Sequence, residues 1–434
     1  MAPPAQAALN IPITVNLSET VNVTGTPRIA VDVGGTTRYA TYTSGTGTNA
    51  LTFTLAPQAG DMDLDGVTVS SPIQLNGGTI KDTKGNNATL TFTPPNTANV
   101  KVNYPSLGMD FVYDADGRYT LNGTPYNDLS SFLTAAGGSF TRASIGTYFD
   151  SSGNLQTAAS GVPRFDYDPV THTAKGILIE ESRTNSVANA SMTGAVAGVI
   201  GSGGVMPTNW NRSTCAGLSY QVIGTGNVSN LPYLDMRVYG TNTSGATCFG
   251  HIYMQYTVVP VNPGEKWALS AYTQLISGTH NAATMGNLNL GFQEFSSAGA
   301  YLTGTTGGST ISSTLTKQTI VATVNNASTT QARMMMNFAI TNGTALDITV
   351  RIAAPQLEKG AFVTSFIPTS TGAVTRAADD LIIPTGSWLN ASSGTLFGES
   401  LAYNATATVM NAASPTIASI NMAMAIFVIL FGLN

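Results

Sequence analysis

The sequence predicts an all-β protein made of several β-sandwich modules, immunoglobulin-like and then jelly-roll-like, in an elongated chain. Three observations predict it. Only 9% of the 434 residues are charged while 42% are hydrophobic, and Thr, Ser, Asn and Gly replace the missing charge. With ordinary hydrophobicity and a net charge of −5, the chain lacks the signature of disorder. Thr favours strands, and Gly and Asn favour the turns between them. Finally, apolar residues recur at every second position in run after run from Asn10 to Phe397, the period of a strand with one buried face. The length suggests roughly two to four domains, and no long helix is expected.

Residues 1–8 read as a short extended arm, and residues 9–105 as one sandwich. Ile11, Ile13, Val15 and Leu17 alternate with Pro12, Thr14, Asn16 and Ser18. Residues 28–33, 50–55 and 88–93 repeat the pattern, and Gly34-Gly35, Gly45-Thr46-Gly47, Gly77-Gly78 and Lys84-Gly85-Asn86 supply turns. The stretch from Val15 to Pro27, with Leu75 to Asp82 followed by Gly85-Asn86, resembles the immunoglobulin-like modules of bacterial and phage surface proteins. That resemblance implies a spacer, docking unit or adhesive stalk. Asp61, Asp63 and Asp65 before Gly66 have the first half of a calcium-loop spacing, but Pro72 stands where the twelfth-position Glu belongs. They are a weak calcium candidate, and a polar connection between strands is the competing reading.

Residues 106–185 are rich in aromatics and turns, among them Asp114-Ala115-Asp116-Gly117 and Asp150-Ser151-Ser152-Gly153. Three phrases stand out: Phe140 to Ser144, Gly161 to Tyr167, and Gly176 to Asn185. They have counterparts at Ala354 to Phe362, Thr364 to Thr369 and Val374 to Asp379. Together the two blocks resemble phage head-spike, head-fibre and tail-fibre structural proteins. The resemblance implies a non-enzymatic subunit of a virion surface appendage, assembled in the host cytoplasm and displayed on the particle. Its implied partners are capsid or tail proteins and a host-surface glycan or envelope component. The blocks also carry Arg142, Arg164, Glu180, Glu181, Arg183, Arg376 and Asp379 in a charge-poor chain, and salt bridges between the blocks are expected. Glu180 and Glu181 are adjacent on a strand, so they point to opposite faces and cannot together flank a sugar as a glycosidase pair.

Residues 186–358 alternate again, as in Trp267 to Tyr272 and Asp347 to Ile352. The phrase Val261 to Trp267 resembles the turn before a strand in carbohydrate-binding jelly-roll modules. Exposed aromatic faces stack on sugar rings, so Trp210, Tyr220, Tyr233, Tyr239 and Tyr256 are the glycan-binding candidates, with core packing the alternative for each. Two cysteines, Cys215 and Cys248, are no disulfide framework. Assembly in a reducing cytosol favours free, buried thiols over a bond between them.

Residues 359–434 continue the second block into a short β and apolar tail. Trp388-Leu389-Asn390 and Gly394 to Phe397 resemble the start of a concanavalin A-like sandwich, but the chain stops too soon to close one. The apolar run Met422 to Phe431 is shorter than the roughly 20 residues of a membrane helix. Ile426, Phe427, Val428, Ile429, Leu430 and Phe431 are therefore expected at the contact of a homo-oligomer, a trimer being favoured. Burial within the same chain is the competing solution.

His172, His251 and His280 sit in no metal-binding spacing and beside no nucleophile. No triad, carboxylate pair or metal constellation is visible, so no enzyme activity and no cofactor are expected. No Lys/Arg cluster is present to neutralise phosphates, which argues against nucleic acid. Met1-Ala2-Pro3-Pro4 has neither the basic nor the apolar region of a secretion signal. The alternatives are a bacterial cell-surface adhesin with the same modules and, further off, a glycan-degrading enzyme.

Overall fold

The computed structural model describes residues 10–104, 106–112, 119–280, 286, 288–308, 311–384, 386, 388, 395–402 and 424–432. For Asn103 and the last two segments it describes the backbone alone. The expected arm over 1–8 and the turn at Asp114 to Gly117 lie outside the described residues. Among the described residues the elements are strands apart from one short helix.

The first unit contains β1 (Ile11–Thr24), β2 (Arg28–Val33), β3 (Thr36–Ser44), β4 (Thr48–Leu55), β5 (Asp61–Asp63), β6 (Thr68–Val69), β7 (Thr79–Asp82) and β8 (Val102–Tyr104). Six form a sheet in the order β6-β2-β3-β4-β1-β7, and β5 pairs with β8. The period-two pattern sends Ile29, Val31, Val33, Leu51, Phe53 and Leu55 into one core. Residues 88–93 differ from the expected strand. They run as a strap held by single bonds, Ala88 N–H to the Ile80 carbonyl (3.0 Å) and Ile73 N–H to the Leu90 carbonyl (3.0 Å). Pro72 beside them and Pro94-Pro95 after them lack the N–H groups a ladder needs.

The calcium reading of this unit is corrected. The buried Asp61 accepts from Gln58 N–H at 2.7 Å and holds Arg38 at 2.6 Å. The buried Asp63 accepts from the amides of Gly34 (2.8 Å) and Gly66 (2.7 Å), and Asp65 is exposed. The carboxylates are spent on turns, and no group of three or more metal-ligating side chains converges among the described residues.

The second region comprises β9 (Leu107–Asp110), β10 (Tyr119–Leu121), β11 (Thr124–Tyr126), α1 (Leu129–Ala136), β12 (Ser139–Thr141), β13 (Gly146–Phe149), β14 (Leu155–Ala158), β15 (Phe165–Tyr167), β16 (Ala174–Ile179) and β17 (Arg183–Asn185). The helix forms because Asp128 caps its start, accepting from Ser131 N–H at 2.8 Å, and Gly137 closes it at φ 65°. It buries Leu129, Phe132 and Leu133 against Tyr119, Ile177 and Ile179.

The third region is a sandwich. It contains β18 (Gly198–Ile200), β19 (Gly203–Gly204), β20 (Asn211–Arg212), β21 (Leu218–Val228), β22 (Leu231–Thr241), β23 (Cys248–Pro260), β24 (Lys266–Ser277), β25 (Asn289–Phe295), β26 (Tyr301–Gly307), β27 (Thr316–Thr323), β28 (Gln331–Ile340) and β29 (Ala345–Lys359). One sheet runs β19-β18-β21-β22-β29-β24-β27 and the other β20-β23-β28-β25-β26. Leu234, Met236, Leu269 and Ile352 of the first meet Ile252, Met254, Phe292, Met334 and Phe338 of the second. Cys215 and Cys248 are joined by a disulfide, which corrects the free-thiol expectation. The loop entering β21 and the first residue of β23 meet at one end of the sandwich, with Cα atoms 5.9 Å apart, so the bond ties the two sheets together.

The last elements are β30 (Val374–Arg376), β31 (Asp380–Ile382), β32 (Thr395–Ala402) and β33 (Met424–Gly432). β30 pairs with β17 and β31 with β12, so the end of the chain returns to the second region. β33 pairs with β32 along its length, with β16 through Met424 to Ile426, and with β9 through Val428 to Phe431. Pairing Ile426 to Phe431 therefore needs no second subunit. Their backbone is paired inside the chain, which satisfies the edges that an unpaired tail would expose.

Candidate functional site

The charged residues of the two sequence blocks converge. Arg164 lies 2.9 Å from Glu180 and 2.5 Å from Asp379. Arg142 reaches Asp379 at 2.9 Å and Arg376 reaches Glu180 at 2.8 Å. The Ser365 amide and hydroxyl donate to Glu180 at 2.7 and 2.6 Å. All five charged side chains are buried. Burial alone would raise the Glu180 pKa, but Arg376, Arg164 and Ser365 hold it down to about 2. Glu181 faces solvent and pairs with Arg183, so the two glutamates do point apart. Arg183 lies over Phe362, 4.6 Å from its ring centre, and a Cβ on Gly360 would fall 1.3 Å from its Nη1. Only glycine fits there. This network is a clamp that closes the second region onto the return segment 354–380.

Beside the clamp, a cavity of about 620 Å³ opens between Thr147, Asp166 and Lys175 on one wall and Tyr272 and Lys317 on the other. Its carboxylates are engaged. Asp166, its pKa raised by burial, accepts from Phe149 N–H at 2.8 Å. Asp168 is held down to about 2 by the amides of Thr171 and Val170, and Lys175 lies 3.4 Å away.

A different surface has the chemistry of a binding face. On β23, β28 and β25 the side chains that point away from the core form registered rows. His251 stands opposite Asn337 and Asn337 opposite Asn289; Tyr253 stands opposite Met335 and Met335 opposite Gly291; Arg333 stands opposite Gln293. Phe295 pairs with Tyr301 across to β26. The rings form a chain, Tyr253 to Tyr256 at 5.4 Å and Phe295 to Tyr301 at 6.0 Å, with the Arg333 guanidinium 4.4 Å from Tyr256 and 4.6 Å from Phe295. Tyr256 and Tyr301 are 39% and 59% exposed, so ring surface is presented to solvent.

Between the rings lie amides. Asn289 and Gln293 are 8% and 7% exposed, and Asn289 Oδ1 and Gln293 Oε1 are buried with no hydrogen-bond partner in the chain. His251 Nδ1 is 3.0 Å from Ser213 Oγ and its Nε2 is 3.4 Å from Gln293 Nε2. A neutral ring protonated at Nδ1 meets both, donating to Ser213 and accepting from Gln293. Burial lowers the His251 pKa, against a bond to Asn337 that raises it. Burial raises the Tyr253 pKa, with Arg333 opposing. No Asp or Glu is among the outward-facing residues of these registered rows.

No protein-family model and no curated protein sequence matches the chain. Among solved structures, the chain is similar to the enzymatically active domain of tailspike protein 4 from Bacteriophage CBA120, at 14% identity, TM-score 0.24, over 35% of this chain and 20% of that one. It is similar to the tripod from the baseplate of bacteriophage Tuc2009, at 10% identity, TM-score 0.29, over 60% and 81%. It is also similar to carbohydrate-binding modules of the β-sandwich superfamily, at 9% identity, TM-score 0.25, over 82% and 94%. At these TM-scores the likeness stops short of a shared overall arrangement, and the chain spans only a fifth of the tailspike chain.

Of the aromatics singled out by sequence, Trp210 and Tyr220 are core residues at 6% and 2% exposure. The Trp210 indole N–H donates to the Asn189 carbonyl at 2.9 Å, so neither ring offers a face to a ligand. Tyr233 is covered by Arg351 at 3.7 Å and Tyr239 by Arg237 at 4.4 Å, both on the other sheet. Tyr256 alone of the five joins the binding face. Tyr253, Tyr301, Arg333, Asn289 and Gln293 were missed. A signal existed, since His251-Ile252-Tyr253 and Asn289-Leu290-Gly291-Phe292-Gln293 alternate, and the residues between the apolar ones define the outer face.

Proposed function

We propose that this chain is a non-enzymatic structural subunit of a phage surface appendage that adheres to host-surface glycans through the outer face of its five-stranded sheet. The observation that carries the adhesive part is the row of tyrosines, Tyr256 and Tyr301 exposed and Tyr253 half-buried, beside buried amide oxygens with no partner. A pyranose presents an apolar C–H face and a rim of hydroxyls. Tyr253, Tyr256 and Tyr301 suit the face. Asn289 Oδ1 and Gln293 Oε1 suit the rim, since an unpaired buried acceptor costs about 1–3 kcal/mol until a donor arrives. Glycoside hydrolysis needs two carboxylates about 5–10 Å apart across the bond. The registered rows of this face carry neither, which favours holding over cutting. The appendage part rests on the two sequence blocks that resemble phage spike and fibre proteins, which the buried clamp joins into one unit. In a homotrimer, three weak faces held together would gain avidity.

A glycan array and adsorption to host cells test this with the intact chain and a Tyr253→Ala/Tyr301→Ala variant. Binding that falls about tenfold or more in the variant supports the reading. A silent array, or release of reducing sugar by the intact chain, overturns it.

A further inference from the structure

We propose that the glycan taken by this face is acidic, with a carboxylate or phosphate group that docks on Arg333. The proposal rests on the adhesive reading above and specifies its ligand class. The guanidinium has five N–H donors. Among the described residues the Arg333 guanidinium donates no hydrogen bond and has no carboxylate within ion-pair distance, and its Nε is buried without a partner. A buried, unpartnered Nε is shared by Arg164, Arg183, Arg212 and Arg376, so the distinction is the missing carboxylate, which among the described residues Arg333 shares with Arg28 and Arg212. Arg142, Arg164, Arg376, Arg237 and Arg351 each meet a carboxylate at 2.9 Å or less.

Arg333 is nonetheless fixed in place. It stands in the middle of the ring row, 4.4 Å from the centre of Tyr256, 4.6 Å from Phe295 and 5.9 Å from Tyr253. Stacking on rings orients the planar fork without using its donors. A fork held this way matches the two oxygens of a carboxylate or phosphate. Gln293, registered beside Arg333, brings an unpaired acceptor for a neighbouring hydroxyl. The registered rows hold no carboxylate that would repel an anion. A neutral sugar would use the rings and amides and leave the cation idle.

The test is isothermal titration of the intact chain with four probes: an oligogalacturonate, a sialyllactose, a glycerol-phosphate oligomer and a neutral xylo-oligosaccharide. The first two carry the carboxylate and the third the phosphate. Each is measured with the natural chain, Arg333→Gln, Arg333→Lys and Tyr253→Ala/Tyr301→Ala, and thermal melting checks that each variant is folded. At least one acidic probe should bind tenfold or more tighter than the neutral one and weaken as salt is added. Arg333→Gln should lose that advantage, bringing the acidic and neutral affinities to within about twofold of each other, and Arg333→Lys, which keeps the charge and loses the fork, should lose part of it. Neutral and acidic probes bound equally, with Arg333→Gln changing neither while the tyrosine variant weakens both, overturns the acidic ligand and leaves the adhesive reading standing. An Arg333→Gln chain that weakens acidic and neutral probes by the same factor, so that their ratio is unchanged, assigns Arg333 to packing and also overturns it. No binding of any probe by the natural chain overturns both.

Discussion

Glu180→Gln keeps the shape of the side chain and removes a carboxylate that Arg164 and Arg376 share at 2.9 and 2.8 Å. The magnitude follows from its pKa. A fall from 4.5 to about 2 is roughly 2.5 units, which at about 1.4 kcal/mol per unit is about 3 kcal/mol of stabilisation at pH 7. That lies at the lower end of the cost of breaking a buried pair and stranding its partners. The sign of the pH dependence is fixed by the depressed pKa. The stabilisation is complete above the unfolded value of 4.5 and is lost as pH falls through about 2. Asp166 and Glu358, raised first by burial and further by the nearby Glu180 charge, shift stability the other way, so they are eased in the variant and offset part of its loss. The assay is native-state hydrogen exchange at pH 7 on the amide of Ser365, which donates to the Glu180 carboxylate, and that of Asp379, which donates to the Glu180 backbone carbonyl. The variant should open these amides with about 3 kcal/mol less free energy. Melting curves of the two proteins should converge as pH is lowered from 4.5 toward 2. Exchange unchanged within 1 kcal/mol, or a melting difference as large at pH 2.5 as at pH 7, would refute the clamp.

Three further outcomes are expected. Cys215→Ser/Cys248→Ser opens a bond of sequence separation 33, and urea unfolding of the sandwich should show a loss of about 3–4 kcal/mol, a loss under 1 kcal/mol counting against a stabilising bond. Gly360→Ala places a Cβ on Arg183, at a φ of +151° as well, and should cost about 2 kcal/mol in the same assay, whereas Gly372→Ala, with open space around it, should be neutral. Deleting residues 420–434 removes β33 and uncovers the edges of β9, β16 and β32, so light scattering should show aggregate, and a monodisperse product with unchanged melting would contradict the pairing.

Period-two alternation was legible because it is a local property. Val15, Ile29, Val31, Leu51 and Phe53 announce a half-buried strand whichever strand pairs with it, and they all reach one core. Scarce charges in the two blocks announced a clamp for the same reason, since a buried Arg in so neutral a chain needs a carboxylate. The sequence also carried a helix, with Asp128 and Gly137 as its caps, inside a stretch that read as turns. What sequence could not decide is which residues of distant strands share a face. Trp210 and Tyr256 are both aromatics in the same alternating region, yet one is sealed beneath Asn189 and the other lies over Arg333. Cys215 and Cys248 become neighbours only when two sheets close over a core, and β33 finds β9 only after more than 300 residues of intervening chain have folded back. A strand's alternation is set by its own backbone, whereas its partners are set by long-range pairing, and the binding face exists only after that pairing is made.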